Sequence, residues 1–405
     1  MKINCILAGA LVMLGLASSS SFGQASKPVR IGVMTDMAGM TSDLVGPGSV
    51  VAARMAVEDF GGKVAGRTIE VVIGDTQNKP DLASVMARRW FDAGGIDVIV
   101  DLPNSSVALA VLEVVKNAKK VVLLTAGAST VFSGKSCTPY SVQWSRDSYG
   151  LAQSIGSEIV RSGGDSWFFI TADYAFGYAT EAAVGQVVLK SGGKVLGSVK
   201  HPTGASDFSS FLLQAQTSKA KIIGMANAGS DTILAFKQAA EFGISKGGQR
   251  LVATYINLTD INSIGIKAAQ GSPVVDTFYW DMNDPARVWS RRFFERHKRM
   301  PTSLQADVYS AVTHYLKAIQ TTDPSDGAAV VKAMKAMPIM GPVLNNATIR
   351  EDGRVIRDYY MFRVKAPEES KTPWDYYKLE QAIPGDKLVI PLADSECPMV
   401  KKPGA

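Results

Sequence analysis

From Val29 onward, short runs of apolar and β-branched residues alternate with longer stretches in which apolar positions recur every three or four residues. Runs that are apolar on both faces predict strands covered on both sides, and the stretches between them predict the covering helices. Their regular exchange marks parallel βαβ units, hence an α/β fold. The first winding predicts strands at 29–35, 69–75, 96–102 and 121–125, with helices at 49–60, 80–93 and from Ser105. Gly61-Gly62 stops the first helix, because glycine takes a left-handed cap at little cost, and Pro80 opens the second at its favoured first position. A second winding predicts helices at 149–161, 179–190, 208–217 and 231–242, and strands at 167–171, 194–200, 221–225 and 251–254. A strand at 274–280 follows, then helices at 285–299, 303–320 and 326–336. A late strand is expected at 355–364, after a Glu351-Asp352-Gly353 turn.

Two windings of similar length predict two doubly wound, Rossmann-like lobes. No low-complexity linker lies between them, so several short crossovers are expected in place of a flexible tether. The expected division gives 26–146 with 281–342 to the first lobe and 147–280 with 343–375 to the second. Residues 376–405 form a tail returning to the first lobe.

A length of 405 residues exceeds what one compact domain needs, and 46% hydrophobic with 20% charged residues describes a globular chain. The N-terminus reads as an address. Lys2 precedes a short apolar run at 6–16, and Ser18 to Ser21 lead to Gly23-Gln24-Ala25, small residues where a signal peptidase acts. A cleavable signal peptide over 1–25 is expected, a mature chain from about Ser26, and a periplasmic destination. Cys5 lies too early for a lipid anchor. Cys137 and Cys397 then remain, and an even pair in an oxidising compartment predicts one disulfide, with two separate thiols as the alternative. The net charge of +6 falls to +5 without Lys2. The one basic run, Arg291, Arg292, Arg296, Lys298 and Arg299, is interleaved with Trp289, Phe293 and Phe294. Helical spacing puts Val288, Phe293 and Phe294 near one face and most cations on the other, which is a solvated helix face. No nucleic-acid partner is expected, and a monomer is.

Enzymatic chemistry finds no groups to work with. His201, His297 and His314 have no metal-ligand spacing, and no G-x-S-x-G elbow occurs. Gly134-Lys135-Ser136 would need a glycine at Ser129 to be a phosphate loop, and Gly46-Pro47-Gly48 has Val51 at the third small position of a dinucleotide turn. Neither an enzyme nor a metal or cofactor is expected.

In an open parallel sheet, ligands settle beyond the carboxyl ends of the strands, where first helical turns point N–H groups outward. There the chain reads Pro103-Asn104-Ser105-Ser106 and Ala126-Gly127-Ala128-Ser129-Thr130. These small and hydroxylated residues suit a carboxylate, or else Ser105 and Ser129 merely cap helices. The second winding places Asp173-Tyr174-Ala175-Phe176-Gly177, Asn227-Ala228-Gly229-Ser230-Asp231, and Tyr255 with Asn257 at the corresponding ends, and Trp280 at the end of a later strand. Tyr174 is the expected cover of the ligand. Trp280 and Phe176 serve equally well as core.

In order and spacing these segments resemble the hydrophobic, or branched-chain, amino acid class of periplasmic binding proteins, across nearly all of the mature chain. The residues that carry the resemblance are Asp36 to Gly39 with Gly46-Pro47-Gly48, Ala53 to Gly62, Asn104-Ser105-Ser106, Ala126 to Ser129, Asp173 to Gly177, Asn227 to Thr232, and Tyr279-Trp280-Asp281. The resemblance implies a type I bilobal clamp with three crossovers and a ligand in the cleft. It also implies an ABC permease at the inner membrane as partner. The family's carboxylate-binding loop falls on Asn104 and Ser105, its next loop on Ala128 and Ser129, and its second-lobe tyrosine on Tyr174. Asn227, Tyr255 and Trp280 complete the expected ligand-binding set. Where amino-acid binders carry an acid for the ammonium, this chain reads Tyr255-Ile256-Asn257, and the loop of Asp231 is elsewhere in the constellation. The expected ligand is therefore an aromatic or other organic carboxylate, in preference to a branched-chain amino acid. The alternative is a ligand-sensing protein feeding a signalling partner, although no membrane-spanning or signalling segment is read up to Ala405.

Overall fold

The computed structural model describes residues 27–401, so the expected leader and the start near Ser26 lie outside the described residues. In chain order the first elements are β1 (Val29–Thr35), α1 (Gly46–Asp59), β2 (Lys63–Val64), β3 (Arg67–Asp75), α2 (Pro80–Asp92), β4 (Val98–Asp101), α3 (Ser105–Ala118), β5 (Val121–Leu124) and β6 (Ser141–Gln143). Next come α4 (Ser148–Arg161), β7 (Ser166–Ala172), α5 (Ala175–Lys190), β8 (Lys194–His201), α6 (Ser209–Thr217), β9 (Ile222–Ala226), α7 (Ser230–Glu241), β10 (Arg250–Ala253), α8 (Leu258–Ile264) and α9 (Ile266–Ala269). The chain closes with β11 (Pro273–Asp276), α10 (Asp284–His297), α11 (Ser303–Ala318), α12 (Gly327–Lys335), β12 (Thr348–Ile349), β13 (Val355–Ile356), β14 (Tyr359–Val364) and β15 (Tyr377–Ile383).

A six-stranded sheet, ordered β2-β3-β1-β4-β5-β6, forms the first lobe, parallel except for β2. The four parallel strands β10-β9-β7-β8 form the second. Both sheets are covered on both faces, as their apolar strands require. On the first, α1, α10, α11 and α12 bury one face around Val33, Val100 and Trp289, and α2 and α3 bury the other around Ile99 and Val111. Gly32 and Gly74 lie on neighbouring strands two register positions apart, where a Cβ would come within 2.4 and 2.7 Å of the Trp90 ring. Their bare backbone lets α2 seat its indole on the sheet.

The glycine stop of α1 is present: Gly61 and Gly62 have φ of +95° and +72°, and their N–H groups donate back to Glu58 and Val57. The helix starts at Gly46 and not at Ser49, because Pro47 at its first turn already has a helical φ. The expected strand 274–280 ends at Asp276, and 355–364 is broken at Arg357-Asp358, where Arg357 turns inward to pair with Asp307.

The lobe division shifts for a physical reason. Val343, Leu344, Ala347, Ile349 and Val355 bury their side chains with Val331 and Met334 against the first sheet, so the third crossover falls after Ile356 and not at 342. Strand β15 pairs with β14, so the return toward the first lobe begins after Ile383. It ends at the disulfide between Cys137 and Cys397, whose Cα atoms are 5.6 Å apart.

Buried arginines lie where the chain passes between lobes. Arg146 donates to Asp276 at 2.6 Å and to Asn257 at 2.7 Å. Arg354 donates to the Ser145 carbonyl and to Tyr359 Oη, and Arg357 holds Asp307 and Thr277. Each guanidinium has donors pointing in several directions, which lets one side chain tie segments distant in sequence.

Candidate functional site

The carboxyl ends of both sheets face one another across a shared cavity. From the first lobe come Thr41, Leu44 and Val45 after β1, Pro103 after β4, Ala126 and Ala128 after β5, and Leu304 from the start of α11. From the second come Tyr174 and Phe176 after β7, Ala228 after β9 and Tyr255 after β10. The lining contains no acid and no cation.

Local chemistry holds each loop. The Asp36 carboxylate gathers the 36–41 turn by accepting from the N–H groups of Gly39 (2.7 Å) and Thr41 (2.9 Å) and from Asn78 Nδ2 (2.6 Å). After β4, Asp101 and Leu102 have φ of +94° and +63°, a left-handed turn made by two residues that carry side chains. Burial pushes the Asp101 carboxyl up from 3.8 to about 7, against a hydrogen bond from Thr125 Oγ1. The turn aims Pro103 at the cavity and delivers Asn104 as the cap of α3, its Oδ1 accepting from the Ser106 and Val107 N–H groups.

Aromatic rings make the second-lobe wall. The Tyr174 and Phe176 centroids are 5.9 Å apart, and Phe176 meets Tyr255 edge-on at 5.2 Å. Behind them the Arg146 guanidinium lies 4.4 Å from the Tyr255 centroid, fixing that ring from the crossover side. Burial raises the phenols of both tyrosines well above their ordinary range; Asp231 adds to this at Tyr174, while Arg146 opposes it at Tyr255. Both hydroxyls remain protonated donors.

Of the residues singled out from sequence, Ala128, Tyr174 and Tyr255 meet at the cavity. Ser105 sits buried at the first turn of α3, beside Pro103, with an Oγ that has no hydrogen-bond partner. Asn104 is committed to capping. Ser129 is likewise a cap, its Oγ accepting from Val131 N–H at 3.5 Å, and its carbonyl receives Gln143 Nε2. Asn227 accepts from Thr232 Oγ1 and faces buried His201, leaving its neighbour Ala228 at the lining. Trp280 stands elsewhere, donating to the Trp374 carbonyl at 2.8 Å beside Tyr279. Asp231 accepts from Gly204 N–H and is not at the lining.

Sequence reasoning missed Thr41, Leu44, Val45 and Leu304 as wall residues, while Ala126 and Ala228 lie in loops it had singled out. Leu44-Val45 carried a signal, two apolar residues inside a polar, glycine-bearing loop. Leu304 carried none, since only the packing of α11 brings it to the cleft.

The sequence model of a family described as periplasmic binding protein matches residues 28–371. A periplasmic binding protein from Burkholderia mallei is 46% identical, with a TM-score of 0.90 over 92% of this chain and 99% of its own. A branched chain amino acid ABC transporter periplasmic ligand-binding protein from Burkholderia xenovorans is 37% identical, with a TM-score of 0.81 over 92% and 100%. At 21% identity and a TM-score of 0.80, over 88% of this chain and 98% of its own, the fold is shared with a solute binding protein of an ABC transporter from Rhodopseudomonas palustris, in complex with 3,4-dihydroxybenzoic acid.

Proposed function

Since this chain belongs to the periplasmic binding protein family, we propose that it captures an aromatic or other apolar organic carboxylate by hinge closure and presents it to an ABC permease. Members of the family bind small molecules and are not enzymes. The observation that carries the ligand class is the lining: Tyr174, Phe176 and Tyr255 face aliphatic residues, with no carboxylate among them. A zwitterionic amino acid would bury its ammonium unpaired, at a cost of several kcal/mol. A ring gains area against the aromatic wall.

The carboxylate end belongs at α3. With the Ser106 and Val107 N–H groups taken by the Asn104 cap, its first turn offers the Ser105 N–H and a favourable dipole, and Ser105 Oγ is buried there without a partner. Tyr174 supplies a protonated hydroxyl from the opposite lobe. The dihydroxybenzoate held by the Rhodopseudomonas palustris protein belongs to the same chemical class.

A thermal-shift panel of benzoates, phenylacetates, short aliphatic acids and branched-chain amino acids tests the reading. An aromatic acid at a hundred times its dissociation constant adds about 2.7 kcal/mol of stability. A panel in which only branched-chain amino acids shift the transition would overturn it.

A further inference from the structure

Among the described residues, two hydrogen bonds cross the cleft from lobe to lobe away from the crossovers, and neither uses a side chain that lines the cavity. At one end, the N–H of Ala175, first residue of α5, donates to Ser106 Oγ on α3 at 3.3 Å. At the other, the N–H of Ser230, first residue of α7, donates to the Met40 carbonyl at 3.0 Å. They bracket the cavity. Pro103, Tyr174 and Phe176 lie beside the first bond in sequence, and Thr41 and Ala228 beside the second.

Both ends are prepared for this contact. Gly229 has a φ of +62°, and a Cβ there would stand 2.1 Å from the Met40 carbonyl oxygen, so only glycine lets the second lobe's backbone approach so closely. The Asp36 carboxylate ties the facing turn through Gly39, Thr41 and Asn78, which holds the Met40 carbonyl in place. Each donor is the first N–H of a helix, a group with no partner inside its own helix. Opening the cleft returns it to water; closing satisfies it across the gap.

We infer that these bonds form a latch that stabilises the closed clamp whatever it holds, so that Ser106 and the Gly229-Ser230 turn set affinity without setting selectivity. The inference rests on reading the chain as a closing solute clamp. A latch independent of ligand also means that the unliganded protein populates the closed arrangement, because part of the closing free energy is present before any solute enters.

The test compares wild type with Ser106→Ala and Ser230→Pro. The first removes one acceptor. The second removes the other donor and sets a ring methylene against the Met40 carbonyl, while proline remains well suited to the first position of α7. Dissociation constants for benzoate and 4-hydroxybenzoate are measured by calorimetry, and unliganded shape by small-angle X-ray scattering. Ser106→Ala is expected to weaken both probes about fivefold, the worth of one net hydrogen bond. Ser230→Pro is expected to weaken them more, with the ratio between probes unchanged in either variant and the unliganded Ser230→Pro protein more extended than wild type. Unchanged affinities with superposable scattering curves would overturn the latch, as would a changed ratio between the probes. If neither probe binds wild type, the ligand reading has failed, and the scattering comparison alone decides the latch.

Discussion

Tyr174 combines three properties at one position: it lines the cavity, belongs to the second lobe, and keeps its hydroxyl protonated through burial. Its two contributions are separable. Tyr174→Phe keeps the ring and removes the donor, and is expected to weaken an aromatic carboxylate by about 1 kcal/mol. Tyr174→Ala also removes the apolar wall beside Phe176 and is expected to lose 2 kcal/mol or more, on the order of a hot-spot aromatic. Calorimetric titration of both variants checks the order; equal affinity in wild type and Tyr174→Ala would place the ligand elsewhere. This tyrosine was legible in the sequence because it follows a strand end. Its neighbours Asn104, Ser129 and Asn227 occupy equivalent places yet spend their side chains on caps and a buried polar contact. A polar residue at a strand end serves either purpose, and only the geometry of its own turn separates them.

At the scale of elements, the turn between β4 and α3 concentrates the unusual chemistry. Asp101 is fully buried, carries a positive φ, and holds its proton up to about pH 7 because burial disfavours its charge. An acid with a raised folded value binds a proton that the unfolded chain has already released. The corresponding stability is therefore complete below about pH 4 and is lost as pH rises toward 7. Buried Asp260, at about 7, and Asp231, at about 6, have the same sign. Asp101→Asn, which tolerates the same backbone, is expected to stabilise the protein by on the order of 2–4 kcal/mol at pH 8 and by almost nothing at pH 4. Urea unfolding at the two pH values checks this, and equal gains at both would contradict it. Most elements were legible because buried parallel strands and amphipathic helices have strong periodicities. Strand β6 was not, being three residues with a mixed pattern, nor was β15, which is mostly exposed and derives its order from pairing with β14.

At the scale of the whole molecule, two covered sheets are joined by short crossovers whose buried arginines reach across segment boundaries. Arg146 is the link between fold and site, since it touches the crossover at Asp276, the α8 cap at Asn257 and the cavity wall at Tyr255. That coupling was invisible in the sequence, because its partners lie 111 and 130 residues away. The lobe boundary after Ile356 was hidden likewise, since the crossover direction depends on which core Val343 to Val355 fill. What the sequence did carry was the missing carboxylate at Tyr255-Ile256-Asn257, on the same wall as Tyr174, and the central claim stands on it. The most direct measurement is calorimetric titration of the purified protein with benzoate and with leucine under identical conditions. Benzoate is expected to bind one to one with a negative heat-capacity change, and leucine at least about a hundredfold more weakly, for want of a partner for its ammonium. Tight binding of leucine with none of benzoate would contradict the account.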